Sequence, residues 1–200
     1  MKTVSLLAGL AFADPALATT YTLEPNYTQV VFNWDHLGYS FPTAQIARGQ
    51  GVLEFDAMNP TMSKVVVRLP LAMIESGVPD LDEHLKSEDF FDVVKHPEAV
   101  FTSTKVEKGM GPDRLRVTGT LEMHAIRKPI TLDVKILKVG NNARTGVPTV
   151  GFNATGKLKR SDFNLGAFVP QVGDEIALTI TTQGAEAKAY AAYLEKKDKK

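Results

Sequence analysis

The feature that most constrains the fold is a period-two alternation of apolar and polar residues that recurs along most of the chain. In 114–123, every second residue is apolar or Gly, and the residues between them are Arg, Thr and Glu. Successive side chains of a β-strand point to opposite faces, so this alternation predicts strands with one buried face. Similar segments predict about eight or nine strands: 21–24, 28–36, 52–56, 63–71, 101–103, 114–123, 130–136, 150–158 and 176–184.

The spacing of these segments predicts an all-β, antiparallel domain. Turn-forming residues separate them, as at Asn59-Pro60, 109–112 and 140–142, and few helical patterns intervene. A sheet with one apolar face either pairs with a second sheet or curls into a barrel that removes its edges. A barrel of about eight strands is filled by side chains or holds one ligand, and the mixed large and small inward residues fit both alternatives.

Composition excludes several classes of function. The 200 residues suffice for one domain with a substantial core, and 23 basic residues balance 23 acidic ones. Without net charge, no broad field attracts nucleic acid or anionic lipid. The chain has no Cys, which excludes disulfides, thiolate catalysis and cysteine-ligated metal centres.

The first 18 residues have the layout of a secretory signal peptide. Lys2 precedes an apolar run, 4–13, and the sequence Ala-Leu-Ala ends at Ala18. The run is too short to span a bilayer as a helix, and a buried N-terminal helix is the alternative. We predict cleavage after Ala18, which leaves an exported domain, 19–200, with no integral membrane segment and a periplasmic location if the host has two membranes.

A second unusual stretch, 81–101, combines acidic residues, two of the four His and three Phe. As a metal site it is incomplete, because His84 and Glu88 have helical spacing but no second close His completes a zinc pattern. As structure it predicts an amphipathic helix that ends before Pro97 and covers a barrel mouth. A second helix is predicted in the Lys-rich C-terminal tail.

Candidate catalytic residues do not form a catalytic pattern. His36 shares a strand face with Phe32 and Trp34, which indicates a core histidine or, alternatively, a head-group contact at the mouth. Arg160-Ser161-Asp162 lacks a nucleophile elbow and predicts a turn with an Arg–Asp contact. Because no spacing supplies an activated nucleophile or paired base, we predict a binding protein and not an enzyme.

Five sequence blocks together resemble the YceI-like family of exported, lipocalin-like proteins that bind polyisoprenoids. The blocks occur in the family's order and cover almost the whole mature chain: 30–38, 82–103, 117–134, 159–164 and 172–180. Ala125 and Asn164 depart from the family pattern, because each stands where the family usually has Gly. These departures bear on local turns more than on the fold.

The resemblance implies an extended antiparallel barrel with a helix near one mouth, an apolar tunnel, and an isoprenoid-tailed ligand such as a quinone or polyprenyl lipid. It implies no catalysed reaction and no cofactor other than the bound lipid. The strand pattern and the mouth segment predict these ligand-binding residues: Val30, Phe32, Trp34, His36, Leu53, Phe55, Val67, Leu69, Phe90, Phe91, Phe101, Leu121, Met123, Phe152, Ala154, Phe163 and Phe168.

The predicted function is therefore an exported carrier that sequesters or transports an isoprenoid lipid as a monomer or homodimer, with an unidentified donor or acceptor protein. One alternative keeps the barrel and replaces the ligand by a fatty acid or fatty amide. Another is a filled barrel that binds a protein, and a third is an enzyme acting through His36 or the His84–Glu88 pair. The sequence indicates no nucleic-acid partner and no metal site.

Overall fold

The computed structural model describes residues 18–199, which form eleven strand segments and two α-helices. The predicted signal peptide lies outside the described residues apart from Ala18. The strands are β1 Thr19–Leu23, β2 Gln29–Asn33, β3 Thr43–Ile46, β4 Gln50–Phe55, β5 Lys64–Pro70, β6 Ile74–Glu75, β7 Glu98–Lys108, β8 Arg114–Met123, β9 Ile126–Asn141, β10 Pro148–Lys159 and β11 Glu175–Glu186. The helices are α1 Pro79–Lys86 and α2 Ala187–Asp198.

The eleven segments form a closed antiparallel barrel of eight strands, as predicted. The first three strands are each divided in two, as β1/β2, β3/β4 and β5/β6, and each half pairs with the matching half of its neighbour. Strands β7 to β11 follow in order, and β11 closes the barrel by pairing with both β1 and β2. The predicted segments 21–24 and 28–36 are thus halves of one strand, separated by a turn at Pro25–Tyr27, where proline cannot donate a ladder hydrogen bond.

The predicted inward faces are confirmed along the barrel. In β8 the side chains of Leu115, Val117, Leu121 and Met123 are buried, whereas their neighbours are exposed or half-buried. The same alternation holds in β2, β4 and β10. Period-two patterning therefore identified the residues that surround the barrel axis.

Helix α1 is shorter than the sequence predicted. It ends at Lys86, and residues 87–97 form consecutive turns instead of continuing the helix. The carbonyl of Leu85 accepts a hydrogen bond from the amide of Phe91, and the carbonyl of Ser87 accepts one from Asp92, whose φ is +41°. These turns direct the rings of Phe90 and Phe91 into the barrel, which a straight helix would not achieve for two adjacent residues.

The chain reversals place α1 at one end of the barrel, called here the mouth. The mouth consists of the β2–β3 loop, the segment 76–97, the β8–β9 turn and the loop 160–174. Helix α2, which the sequence predicted, lies at the opposite end against β1 and β11. Its first turn is capped by Glu186, whose carboxylate accepts hydrogen bonds from the amides of Lys188 and Ala189. Within the described residues, neither helix has the length and apolar character to cross a bilayer.

Candidate functional site

The barrel encloses an elongated cavity of about 500 Å³. Forty residues line the cavity, and 33 of them are apolar. The seven polar ones are Thr28, His36, Ser63, Lys64, His84, Arg160 and Thr182. A volume of this size and lining is typical of sites for small apolar ligands. The alternative of a barrel filled by its own side chains does not hold for this chain.

Sixteen of the seventeen residues predicted to bind a ligand line the cavity. The exception is Phe163, which is almost completely buried and packs beside the cavity, next to Lys128 and Pro129. The role of these sixteen residues in binding a ligand stays a prediction. The predicted binding residues do not include Leu132, Ile176 and Leu178, which line the cavity and lie on predicted inward strand faces.

Small inward residues make room for aromatic rings as well as for the cavity. A Cβ on Gly119 would collide with Cζ of the Phe101 ring. Gly119 therefore accommodates the Phe101 ring of the neighbouring strand. Ala154, by contrast, lines the cavity directly.

An aromatic cluster on the strands packs across the end opposite the mouth. In this floor cluster, the Phe55 ring meets Tyr21 at 6.3 Å and Phe152 at 5.6 Å between ring centroids, both edge to face. All three residues are buried, and Leu23 and Val150 pack against them. Burial raises the pKa of Tyr21, and the charge of Glu186 adds to that effect.

A second aromatic cluster, the mouth cluster, consists of His84, Phe90 and Phe168. The His84 ring stands edge to face with Phe90 at 4.8 Å and lies 6.4 Å from Phe168. All three side chains line the cavity, and Phe168 is 60% exposed. The side chains that cover this end of the cavity are thus held by turn segments and one short helix.

Arg160 fixes the path of the loop 160–174. Its Nε donates to the carbonyl of Gly173 at 2.8 Å, and its two NH groups donate to the carbonyls of Leu165, Ala167 and Val172 at 2.6, 2.7 and 2.8 Å. The residue is buried and lines the cavity. Burial lowers its pKa, whereas Asp174 acts in the opposite direction, and a guanidinium remains charged in proteins.

The predicted Arg–Asp contact within Arg160-Ser161-Asp162 is wrong. Arg160 binds main-chain carbonyls, and Ser161 instead donates through its amide and hydroxyl to the carboxylate of Asp174, at 2.9 and 2.7 Å. Burial raises the pKa of Asp174, but the two hydrogen bonds from Ser161 together with the charges of Lys159 and Arg160 outweigh burial, so the pKa lies below its ordinary value. The loop 160–174 thus brings Ser161 next to Asp174, which is 13 residues away in the sequence.

His36 is not a core histidine, contrary to the first alternative from the sequence. It is exposed at the mouth, lines the cavity, and its main chain pairs with Ser40 and Val172. This position agrees with the second alternative, a contact to a polar head group, which stays a prediction. His84 and Arg160 are the other polar lining residues at this end.

Two further histidines face each other beside the mouth. The rings of His96 and His124 lie 4.4 Å apart. Burial and the neighbouring His96 lower the pKa of His124. Nearby, the carboxylate of Asp92 accepts a hydrogen bond from Lys95 Nζ at 2.9 Å. Across residues 18–199, no group of three or more His, Asp or Glu side chains has an arrangement suited to a metal ion.

The two departures from the family pattern keep the left-handed backbone that Gly would adopt. Ala125 has φ +59° in the β8–β9 turn, and Asn164 has φ +60° after Phe163. Asn tolerates this conformation, whereas Ala adopts it at a cost. The turn geometry is thus retained at both positions.

Comparison with known proteins agrees with this architecture. Residues 21–184 match the model of the YceI-like domain. The chain is 34% identical to protein YceI of Escherichia coli O157:H7 over 190 residues, which cover 91% of this chain and 98% of the relative. The crystal structure of a Campylobacter jejuni YceI protein superposes with a TM-score of 0.68 at 29% identity, over 76% of this chain and 90% of that protein.

A more distant fold neighbour is a polyisoprenoid-binding domain from Saccharophagus degradans that is implicated in plant cell wall breakdown. It superposes with a TM-score of 0.63 at 14% identity, over 86% of this chain and 99% of that domain. At this identity, the likeness concerns the fold. The family model, the curated relative and the eight-stranded barrel together establish that the chain belongs to the YceI-like family.

Proposed function

We propose that the protein is a carrier that holds an isoprenoid lipid, such as a polyprenol or an isoprenoid quinone, in its barrel. The observation that carries the proposal is the apolar cavity of about 500 Å³ along the barrel axis. The Saccharophagus degradans neighbour, which shares this fold, is a polyisoprenoid-binding domain. Apolar cavities in proteins stay dry and take up apolar ligands.

Tail burial supplies the affinity in this proposal. Each buried CH₂ contributes about 0.8 kcal/mol, so a five-carbon isoprene unit contributes up to roughly 4 kcal/mol. Ordering a flexible tail offsets a large part of this gain. The polar lining residues at the mouth, His36, His84 and Arg160, then select the head group.

The mostly apolar lining of the cavity suits a binding protein. Among the hydrogen bonds of residues 18–199, no serine hydroxyl bonds a histidine ring. Ser87 Oγ donates to the main-chain carbonyl of His84, and Ser63 Oγ accepts from the amide of Asp56. We propose that the barrel binds its lipid without turnover and without a further cofactor. We further propose export through a cleaved signal peptide, residues 1–18, to a periplasmic location, where a monomer or homodimer exchanges lipid with a protein partner.

Mass spectrometry of an organic extract from the natively exported protein tests the proposal. A stoichiometric polyprenyl lipid or quinone is the expected result. A fatty acid or amide would retain the carrier and replace its cargo. An extract without lipid, together with no uptake of added polyprenol, would overturn the carrier function.

A substitution inside the barrel adds a test of the cavity. Ala154 lines the cavity, and its neighbour Thr155 points outward and is exposed. In Ala154→Leu, three added carbons displace a similar number from the tail, so polyprenol affinity should fall roughly fiftyfold, equivalent to about 2.4 kcal/mol. Thr155→Leu is the matched control and should bind as the wild type does. Equal affinity of both variants would show that the tail does not occupy this part of the barrel.

A further inference from the structure

An uncharged, apolar surface borders the mouth on one side. It consists of two neighbouring loops, 36–42 and 163–173, which contain no Asp, Glu, Lys or Arg. Tyr39 is 90% exposed, Phe41 70% and Phe168 60%, and half of Leu37 is exposed. Exposed apolar groups in one patch mark an interaction site more often than scattered ones do.

The two loops form one continuous surface. The main chain of His36 pairs with Val172, and the amide of Gly173 donates to the carbonyl of Asp35 at 2.8 Å. Hydrogen bonds to side chains at the base of each loop also fix its backbone. Asp35 accepts a hydrogen bond from the amide of Gly38 at 2.8 Å, and Arg160 holds the second loop. The surface is therefore preformed.

The surface is continuous with the cavity lining. Phe168 lines the cavity and is also one of the exposed apolar residues of the surface, and His36, a polar lining residue, belongs to the other loop. A lipid tail that leaves the cavity on this side would pass over apolar side chains instead of water. This continuity links the outer surface to the cargo.

We propose that loops 36–42 and 163–173 insert into the interfacial region of a neutral lipid bilayer, so that the lipid passes between bilayer and cavity without crossing water. The inference rests on the proposed lipid cargo, whose long apolar tail favours a bilayer over water. Tyr, Phe and Leu are the side chains that partition into bilayer interfaces, and charged side chains oppose insertion. The two loops expose Tyr39, Phe41 and Phe168 and contain no Asp, Glu, Lys or Arg, so they meet both requirements.

The opposite side of the mouth limits how the protein docks. Helix α1 and the turns after it expose Asp80, Glu83, Glu88 and Asp89. These carboxylates favour water and repel anionic lipids. The barrel thus meets the bilayer tilted, with loops 36–42 and 163–173 inserted and α1 outside.

Flotation and lipid transfer test the proposal with the full mature protein and a matched control. Phosphatidylcholine vesicles carry a polyprenol as the probe, and the same polyprenol is offered separately from dilute ethanol. Tyr39→Asp/Phe41→Asp changes two exposed residues that do not line the cavity. The control, Met58→Asp/Met110→Asp, changes residues that are 84% and 95% exposed in turns at the other end of the barrel.

We expect the wild type and the Met58/Met110 control to float with the vesicles. The Tyr39/Phe41 variant should lose vesicle binding and take up polyprenol from vesicles at least about tenfold more slowly, which corresponds to roughly 1.4 kcal/mol. Its uptake from ethanol should equal that of the wild type. Circular dichroism checks that all variants are folded.

Other results would overturn the inference. If the wild type does not float with the vesicles, the surface does not bind a bilayer and its partner would be a protein. If the Tyr39/Phe41 variant floats as well as the wild type, the two loops do not form the membrane contact. Increased binding on adding phosphatidylglycerol would assign the contact to Lys and Arg side chains. If the wild type floats but takes up no polyprenol from ethanol, the carrier function fails while the membrane contact stands.

Discussion

The two ends of the barrel each hold a three-ring aromatic cluster, but they place those rings on different kinds of backbone. In the floor cluster, Phe55 and Phe152 sit on paired strands and are buried. In the mouth cluster, Phe90 and Phe168 lie on turns, 6.3 Å apart, and Phe168 is largely exposed. Equivalent ring contacts can thus stabilise the fold at one end and control access to the cavity at the other.

The largest expected effect separates the two clusters. Phe152→Ala should lower the free energy of unfolding by about 3–5 kcal/mol, because it removes a buried ring and leaves a cavity. Phe168→Ala should cost less than about 1 kcal/mol, since its ring is largely exposed, but should release bound polyprenol faster. Urea unfolding and lipid dissociation rates measure both effects. Similar unfolding losses in the two variants would remove the distinction between the ends.

Substitution of Arg160 should give the next largest loss in the free energy of unfolding. The hydrogen bonds of Arg160 hold the irregular backbone at the mouth, whereas strand pairing holds the backbone at the floor. Arg160→Met leaves four carbonyls without their charged donor and should cost about 3 kcal/mol. Arg127→Met is the matched control, because Arg127 forms an exposed pair with Glu122 at 3.7 Å. The control should change stability by less than about 0.5 kcal/mol. Equal losses would contradict the role of the buried guanidinium.

The turns at the two ends provide a smaller test. Ala125→Gly at the mouth relieves a left-handed backbone and should raise the free energy of unfolding by about 1 kcal/mol. Ala143→Gly, in the turn between β9 and β10 at the other end, has no positive φ to relieve. It should lower stability by about 0.5 kcal/mol. Thermal unfolding that shifts in the same direction for both variants would refute the strain at Ala125.

The smallest expected effect is a pH dependence at the mouth. The pKa of His124 is lowered in the folded state, so the unfolded chain binds this proton more tightly. Stability should therefore fall as the pH decreases through the ordinary value of 6.5 and the loss should end below the lowered pKa. His124→Asn keeps a residue that tolerates the left-handed turn, and its urea midpoint should change less between about pH 7.5 and 5.5. An unchanged pH dependence would exclude His124 as its source.

The inward faces of the strands were predictable from the sequence because alternation is a local property of each strand. Leu53 and Phe55, for example, are buried as their period predicts, and Glu54 between them is exposed. Closure of the barrel was implied by the family resemblance, since alternation alone also allows a sandwich. The division of the first three strands was not predicted, although Pro25 and Pro70 stand at two of the interruptions.

The mouth was less predictable, because its residues are positioned by contacts between segments distant in the chain. Helix α1 ends at Lys86, and the turns after it place both Phe90 and Phe91 at the cavity. A helix does not point two adjacent side chains to the same side, so helical periodicity could not predict this arrangement. The partners of Arg160 are carbonyls 5 to 13 residues further along the chain. No side-chain pattern identifies main-chain acceptors in an irregular loop.

The hydrogen bonds of Arg160 also bear on how such proteins diverge. Because every acceptor is a main-chain carbonyl, replacing the side chains of residues 165–172 leaves all four hydrogen bonds available. One side chain thus supplies four of the contacts that hold the shape of the loop, while the side chains of residues 165–172 remain free to change at the entrance. Mutation can alter which molecules pass this entrance without altering the barrel that stores them, and grafting the loop from a relative of equal length would transfer that preference in one step.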